Sequence, residues 1–169
     1  MNYEYISKQD MLNGDGIRVV LWVSGCRCKC PGCHNKELWD FDYGKEFDLE
    51  AKTKLRDALS KPYIQGLTIS GGHPLEPENC TDSFYWFLKN IKRDFPDKDI
   101  WLYTGWKWES ICYHDIAWDI VRECIDVVVD GPYIEELRDT TLPFRGSSNQ
   151  RLIDVKKSIE SQMAVLWNE

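Results

Sequence analysis

The sequence predicts an α/β fold with a mostly parallel β-sheet, in a single domain over residues 1–169. The chain has 169 residues, which suits one domain with a sizeable buried core. Apolar residues make up 43% of it, as in a globular protein. Short apolar runs alternate with helical segments, the pattern of parallel sheets whose strands are buried on both faces.

Five apolar, mostly β-branched runs are predicted to be strands. They are Ile17–Val23, Gly66–Ser70, Asp99–Gly105, Asp126–Gly131 and Arg151–Val155. The first four run into glycine at their carboxyl ends, at Gly25, Gly71-Gly72, Gly105 and Gly131. Ligands bind at the carboxyl ends of strands in α/β folds, and glycine lets backbone approach a ligand closely, although it also serves in ordinary turns.

Three segments are predicted to be helices. Ala51–Ser60 is followed by Pro62, and Asp82–Phe95 is followed directly by Pro96. Proline stops a helix, so it marks both ends. The third segment, Trp108–Cys124, is predicted to be helical with a break near His114.

Charge and hydropathy exclude two classes of partner. The chain has 28 acidic and 21 basic residues, a net charge of -7, and so lacks the basic footprint of a nucleic-acid-binding protein. No apolar run approaches the roughly 18 residues of a membrane span. The start, MNYEYISKQDML, has neither the cationic nor the apolar region of a signal peptide, so we expect a cytoplasmic protein.

The stretch GCRCKCPGCHN contains four closely spaced cysteines, Cys26, Cys28, Cys30 and Cys33. A disulfide staple, a zinc site and an iron–sulfur cluster are the three chemistries that such spacing allows. Reducing cytosol and an odd total of seven cysteines count against a disulfide framework.

Zinc and iron–sulfur chemistry use different spacings. Structural zinc sites commonly take two C-x-x-C pairs about a dozen or more residues apart, and here only Cys30 and Cys33 form such a pair. The C-x3-C-x2-C spacing that begins at Cys26 supplies three thiolates to a 4Fe–4S cubane. Three ligands would leave one iron open, and an open position on a metal is where a substrate binds.

The C-x3-C-x2-C motif after a first strand resembles the signature of radical S-adenosylmethionine (SAM) enzymes. NGDGIRVVLWVSGCRCKCPGCHNKELWD resembles the activating proteins of glycyl radical enzymes, and most of all those of anaerobic (class III) ribonucleotide reductase. TISGGHPL, IWLYTGW, VVVDGPY and FRGSSNQRLIDV resemble further segments of that family, in the same order. The resemblance covers about residues 1–155.

The resemblance implies a metal site and a reaction. Cys26, Cys30 and Cys33 would ligate a 4Fe–4S cluster, SAM would bind the fourth iron, and Cys28 would be a bystander inside the first spacer. Reductive cleavage of SAM would give a 5′-deoxyadenosyl radical, which would take a hydrogen atom from a glycine of the reductase.

The resemblance also implies contacts to SAM. The backbone at Gly71 and Gly72 would cradle its amino end. His73 stands where the family often has an acid; if protonated it would bond the SAM carboxylate, and otherwise it is an ordinary loop histidine. Thr104 is expected to face the SAM pocket and Asp130 to bond a polar group of SAM, with capping and turn formation as their structural alternatives.

Chain length indicates the architecture. Complete eight-unit barrels need about 250 residues, and this chain has room for roughly half to two-thirds of one. We therefore expect a partial, open β/α barrel of the radical SAM type, whose open side suits a protein substrate. The expected partners are the catalytic subunit of anaerobic ribonucleotide reductase, an electron donor such as a flavodoxin-like protein, and a second copy in a homodimer.

Two alternatives remain open on the residues alone. In the first alternative, the chain activates a different glycyl radical enzyme. Such activases can carry an extra cluster, and Cys80, Cys112 and Cys124 are too scattered to form one. Otherwise it is a non-catalytic four-cysteine module for iron–sulfur or zinc, with Cys28 as the fourth ligand.

Overall fold

The computed structural model describes residues 1–168, so residue 169, the last of the predicted domain, lies outside it. Within these residues seven strands form one sheet in the order β3-β1-β2-β4-β5-β6-β7. The strands are β1 (Asn2–Asp10), β2 (Arg18–Val23), β3 (Lys45–Glu46), β4 (Gly66–Gly71), β5 (Asp99–Tyr103), β6 (Val127–Asp130) and β7 (Arg151–Asp154). The helices are α1 (Leu49–Leu59), α2 (Asp82–Asp94), α3 (Trp108–Ile111), α4 (Asp115–Cys124) and α5 (Val155–Ser161).

The centre of the sheet is parallel and its flanks are antiparallel. Strands β2, β4, β5 and β6 pair in parallel, with Leu21 opposite Ile69 and Ile69 opposite Leu102. The other three pairings, β1 with β2, β1 with β3 and β6 with β7, are antiparallel. The α/β prediction is confirmed, whereas a mostly parallel sheet describes only the centre.

Strand β1 was not predicted because it carries no continuous apolar run. Only Tyr3 is buried among Asn2–Asp10, since the strand lies near one edge of the sheet. It joins β2 through a short connection, residues 11–17, and strands joined without a crossover helix pair antiparallel. The polar helix α5, which buries only Val155 and Ser158, was missed for the same lack of apolar pattern.

The predicted helices are confirmed to within two residues at each end. Side chains cap the first two: Asp48 accepts from Ala51 N at 2.9 Å, and Thr81 accepts from Phe84 N at 3.2 Å. The break predicted near His114 is also confirmed, because α3 ends at Ile111 and α4 begins at Asp115.

The two faces of the sheet differ in composition. The helices pack aliphatic side chains, such as Leu55, Leu88 and Ile120, onto one face. On the other face Trp101 packs with Val127, Val129 and Leu152, and Tyr103, Phe144 and Trp167 lie against them. None of the helices in residues 1–168 combines the length and apolar character that crossing a bilayer requires.

Candidate functional site

A cavity of about 340 Å³ lies where the parallel strands end. Its wall is built by the connections that follow β2, β4, β5 and β6, as the glycine pattern predicted. All four clustered cysteines line it: Cys26, Cys28, Cys30 and Cys33. Cys80 and Cys124 are buried on the helix side instead, and Cys112 is exposed.

The cysteine loop is folded against the short 3₁₀ helix Lys36–Trp39. Gly25 N donates to Leu38 O at 2.9 Å, and Cys26 N donates to Trp39 O at 3.2 Å. Gly25 has a φ of +91°, and a Cβ there would lie 2.2 Å from the Phe41 ring, so no other residue fits. These hydrogen bonds and the positive φ of Gly25 fix the conformation of the cysteine loop.

The thiols differ in electrostatic environment. The neighbouring Cys28 thiol and the backbone N–H groups of Cys28 and Lys29 favour the thiolate of Cys26 and lower its pKa, against the effect of burial. Burial raises the pKa of Cys30, and the Tyr133 N–H offsets part of that rise. Tyr133 belongs to the DGPY segment, so the loop after β6 reaches the cysteine loop.

The four clustered thiols are not arranged as a single-ion site. In the described part of the chain, no group of three or more His, Cys, Asp or Glu side chains is arranged to hold one metal ion. A cubane places each thiolate on a different iron, so its ligands approach from several sides of a larger body. Thiols that line one cavity from different points of a loop suit that geometry.

A buried carboxylate ties the cysteine loop to the segment after β4. Glu76, whose side chain is 4% exposed, accepts from Arg27 N through Oε1 and from Arg27 Nη1 through Oε2, both at 2.8 Å. Burial would raise the pKa of Glu76, but the donors of Arg27 and the nearby His73 outweigh it and leave that pKa lowered. Glu78, 50% exposed, pairs with the same guanidinium from the solvent side.

His73 lies behind the cavity wall, not on it. Its side chain is 1% exposed; Nδ1 lies 3.3 Å from Glu76 Oε1, out of hydrogen-bond alignment, and Nε2 lies 2.6 Å from Thr104 Oγ1. A carboxylate only accepts, so we assign the ring proton to Nδ1, which makes the Thr104 hydroxyl the donor to Nε2. Burial lowers the pKa of His73 and so disfavours its protonated form.

Three of the five residues expected to contact SAM line the cavity: Gly71, Gly72 and Thr104. A Cβ on Gly72 would lie 2.7 Å from Gly25 O, so this glycine lets the end of β4 pack against the cysteine loop. Asp130 does not line the cavity. It is 1% exposed, and its oxygens accept from Trp108 N at 2.8 Å and from Arg151 Nε at 3.1 Å.

Two indole N–H groups at the cavity have no partner. Trp22 and Trp39 both line it, and the Nε1 atom of each is buried without an acceptor among the described residues. Buried donors normally find acceptors in native proteins, so a pair without them beside one cavity indicates a missing acceptor-rich ligand. Sequence reasoning missed Trp22, Trp39 and Glu76; the acid-rich LEPE segment after the glycine pair was the one available signal for Glu76.

Comparison with known proteins agrees with this site. Residues 12–153 match the family model described as a 4Fe-4S single cluster domain. The anaerobic ribonucleoside-triphosphate reductase-activating protein of Enterobacteria phage T4 is 43% identical over 152 residues, which cover 90% of this chain and 93% of that protein. The proteins of the same name from Haemophilus influenzae and Escherichia coli K12 are 41% and 39% identical, covering 89% of this chain and 96% of each.

Proposed function

The chain belongs to the family of anaerobic ribonucleoside-triphosphate reductase-activating proteins, and we propose that it is a radical SAM activase. Its substrate would be the catalytic subunit of anaerobic ribonucleotide reductase. The observation that carries the proposal is the cavity at the strand ends, which brings the C-x3-C-x2-C cysteines and the Gly71-Gly72 segment to one wall.

The residues present fit a 4Fe–4S cluster together with SAM. We propose Cys26, Cys30 and Cys33 as the ligands, because their sulfurs share the cavity and their spacing suits three separate irons. The buried N–H groups of Trp22 and Trp39 offer donors to sulfide or to the carboxylate of SAM. Gly71 and Gly72 line the same cavity, and we propose that their backbone contacts the amino end of SAM.

The protein's own part is to hold and orient. Cys26, Cys30 and Cys33 would hold a cluster that could supply one electron to SAM, giving methionine and a 5′-deoxyadenosyl radical that would take a hydrogen atom from a glycine Cα of the reductase. Glu76 and Arg27 hold the cysteine loop, and His73 orients the Thr104 hydroxyl at the cavity wall. Neither His73 nor Asp130 lines the cavity, so His73 would act through Thr104, and Asp130 through Arg151 and the backbone of Trp108.

A non-catalytic four-cysteine module is the second candidate, and one observation favours it. Cys28 lines the same cavity as the other three cysteines, and a Cβ on Gly105 would lie 2.5 Å from its sulfur. A fourth thiolate would close the iron that SAM needs. The proposed activase therefore requires that Cys28 stay off the cluster.

Architecture and partners complete the proposal. We infer that the seven-stranded sheet is a partial, open β/α barrel of a single domain, and that the protein works in the cytoplasm. An electron donor such as a flavodoxin-like protein would reduce the cluster, and a homodimer is the proposed assembly. Activation of a different glycyl radical enzyme is the alternative substrate assignment.

The test uses protein reconstituted anaerobically with iron and sulfide. After reduction with dithionite and addition of SAM, 5′-deoxyadenosine is quantified by chromatography for wild type, Cys30→Ala and Cys28→Ala. We expect product from wild type and Cys28→Ala and none from Cys30→Ala. A fully assembled wild-type cluster that yields no product would contradict the proposal.

A further inference from the structure

The C-terminal segment 162–168 turns back along the sheet after helix α5. The helix ends at Gln162, whose φ of +57° reverses the chain. Ser158, in the middle of the helix and 1% exposed, accepts from Val165 N at 2.8 Å through its hydroxyl oxygen, which fixes the reversal. The family model matches residues 12–153, so the returning segment lies outside the part of the chain that this family model covers.

The returning segment covers the outer edge of β7, the last strand of the sheet. Leu166 pairs antiparallel with Ile153, and Trp167 N donates to Leu152 O at 2.8 Å. The edge of a sheet leaves backbone groups without partners, and a covering segment satisfies them. The pairing therefore gives Trp167 a fixed place on the face of the sheet that carries Trp101.

Trp167 packs there against two aromatic rings. Its ring centre lies 4.7 Å from that of Trp101 and 6.5 Å from that of Phe144, and the centres of Phe144 and Trp101 lie 5.4 Å apart. All three contacts are edge-on, an arrangement that aromatic rings prefer. Phe144 has a φ of +58°, which is strained for a bulky residue and persists only where surrounding contacts enforce it. Trp167 and Trp101 supply such contacts.

Phe144 links these rings to the cysteine cavity. Its carbonyl accepts from the Tyr103 hydroxyl at 2.7 Å, and Gly146 follows it two residues later in the chain. Tyr103 and Gly146 both line the cavity, whereas Trp167 is not part of the lining that residues 1–168 form. The backbone at Phe144 therefore connects Trp167 to two parts of the cavity wall.

We propose that Trp167 is a positioning residue for the cysteine cavity. It holds Phe144 in its strained conformation, and the Phe144 backbone in turn holds Tyr103 and Gly146 at the wall. This inference rests on the proposed function in one respect, that SAM is the ligand whose binding depends on the wall. A preformed wall favours binding because it needs no ordering when the ligand arrives. Without the Trp167 ring, SAM should bind more weakly although no cluster ligand has changed.

The test compares three variants. Trp167→Ala removes the ring, Trp167→Phe keeps an aromatic ring, and Met163→Ala changes a side chain of the same segment that is 68% exposed. The first measurement is limited digestion of the cluster-free protein with trypsin, with the peptides quantified by mass spectrometry. Cleavage after Arg145 reports on the backbone next to Phe144, and cleavage after Lys107, an exposed residue before α3, reports on opening elsewhere.

We expect Trp167→Ala to raise the rate of cleavage after Arg145 about tenfold relative to cleavage after Lys107, because the lost ring contacts shift the local opening equilibrium by a factor of this order. Trp167→Phe and Met163→Ala should stay close to wild type. An unchanged ratio in Trp167→Ala, or the same rise in Met163→Ala, would overturn the proposal.

The second measurement is the dissociation constant for SAM, taken from the change that SAM causes in the spectrum of reconstituted, reduced protein of equal iron content. We expect the constant to rise about tenfold in Trp167→Ala and to stay unchanged in Met163→Ala. An unchanged constant despite faster cleavage after Arg145 would overturn the positioning role and leave Trp167 as a packing residue. Absence of SAM binding by wild type would instead contradict the proposed function, and the digestion would still decide whether Trp167 holds the backbone at Phe144.

Discussion

The two ends of the parallel strands differ in how far their polar groups are satisfied. At the amino ends Arg18 is fully buried: Nε donates to Thr68 Oγ1 at 2.7 Å, Nη1 to Asp99 Oδ1 at 2.8 Å, and Nη2 to Leu67 O at 2.9 Å. The guanidinium also lies 5.1 Å from the centre of the Trp101 ring. Each nitrogen of the guanidinium therefore donates a hydrogen bond to a group of the protein itself.

At the carboxyl ends some buried polar groups differ from this. Within residues 1–168 the buried indole N–H groups of Trp22 and Trp39 have no acceptor, and Lys29 holds a positive φ of 45°. A fully satisfied polar network stabilises a fold, whereas unsatisfied buried groups and strained backbone mark the place where a ligand completes the structure. The contrast thus separates a structural end of the sheet, at the amino ends of the strands, from a functional one at their carboxyl ends.

The largest expected effect is on stability at the amino end. Arg18→Met leaves Asp99 and Thr68 without their buried partner, and breaking such a pair should lower the free energy of unfolding by about 3 kcal/mol or more. Urea denaturation of the cluster-free protein measures it. Lys54→Met removes an exposed pair with Glu50 and should leave the free energy of unfolding nearly unchanged. Similar losses in the free energy of unfolding for the two variants would contradict the structural role of Arg18.

A smaller effect is expected at the tether of the cysteine loop. Glu76→Gln puts an amide donor against the donors of Arg27, so we expect cluster loss to a chelator to accelerate about tenfold, the usual scale for residues that orient metal ligands. Glu78→Gln alters the exposed partner of the same arginine and should leave the rate nearly unchanged. The rate of iron release is followed by absorbance. Equal rates for Glu76→Gln and Glu78→Gln would contradict the proposed role of Glu76.

The indoles give a further test of this contrast, because the effect of removing one should depend on whether the cluster is bound. Trp39→Phe removes a donor that has no acceptor among residues 1–168, so the free energy of unfolding of the cluster-free protein should change by no more than about 1 kcal/mol. In the loaded protein the lost donor should speed cluster loss or weaken SAM binding several-fold. A loss of stability in the cluster-free protein, with no effect on cluster loss or SAM binding in the loaded protein, would mean that the indole serves packing alone.

The smallest effect is a pH dependence from His73. Burial lowers its pKa in the folded state below the ordinary value of 6.5, so the unfolded chain binds more protons when the pH falls under that value. The stability that His73 contributes is therefore present above pH 6.5 and is lost as the pH falls through the folded pKa. Unfolding of cluster-free wild type and His73→Asn at pH 7.5 and 5.5 checks it, with the steeper loss expected for wild type. Parallel losses would contradict it.

Much of this structure followed from local sequence pattern. The four parallel strands and the broken helix before Cys124 follow from apolar periodicity, and the glycine-ended strands located the cavity. Strand β1 could not be predicted in this way, because it lies near an edge of the sheet and buries only Tyr3, too little to leave an apolar pattern. The roles of Glu76 and Asp130 depend on contacts with Arg27 and Arg151, which lie 49 and 21 residues away in sequence, and no local signal reports such pairing.

The proposed activity depends most on a cluster that is held by three cysteines and has one iron open to SAM. Electron paramagnetic resonance of the reduced cluster, recorded with and without SAM for wild type and Cys28→Ser, tests this directly. We expect SAM to shift the wild-type spectrum and to shift that of Cys28→Ser in the same way, because Cys26, Cys30 and Cys33 alone would hold the cluster. A wild-type spectrum that ignores SAM, with a shift appearing only in Cys28→Ser, would mean that Cys28 occupies the fourth iron.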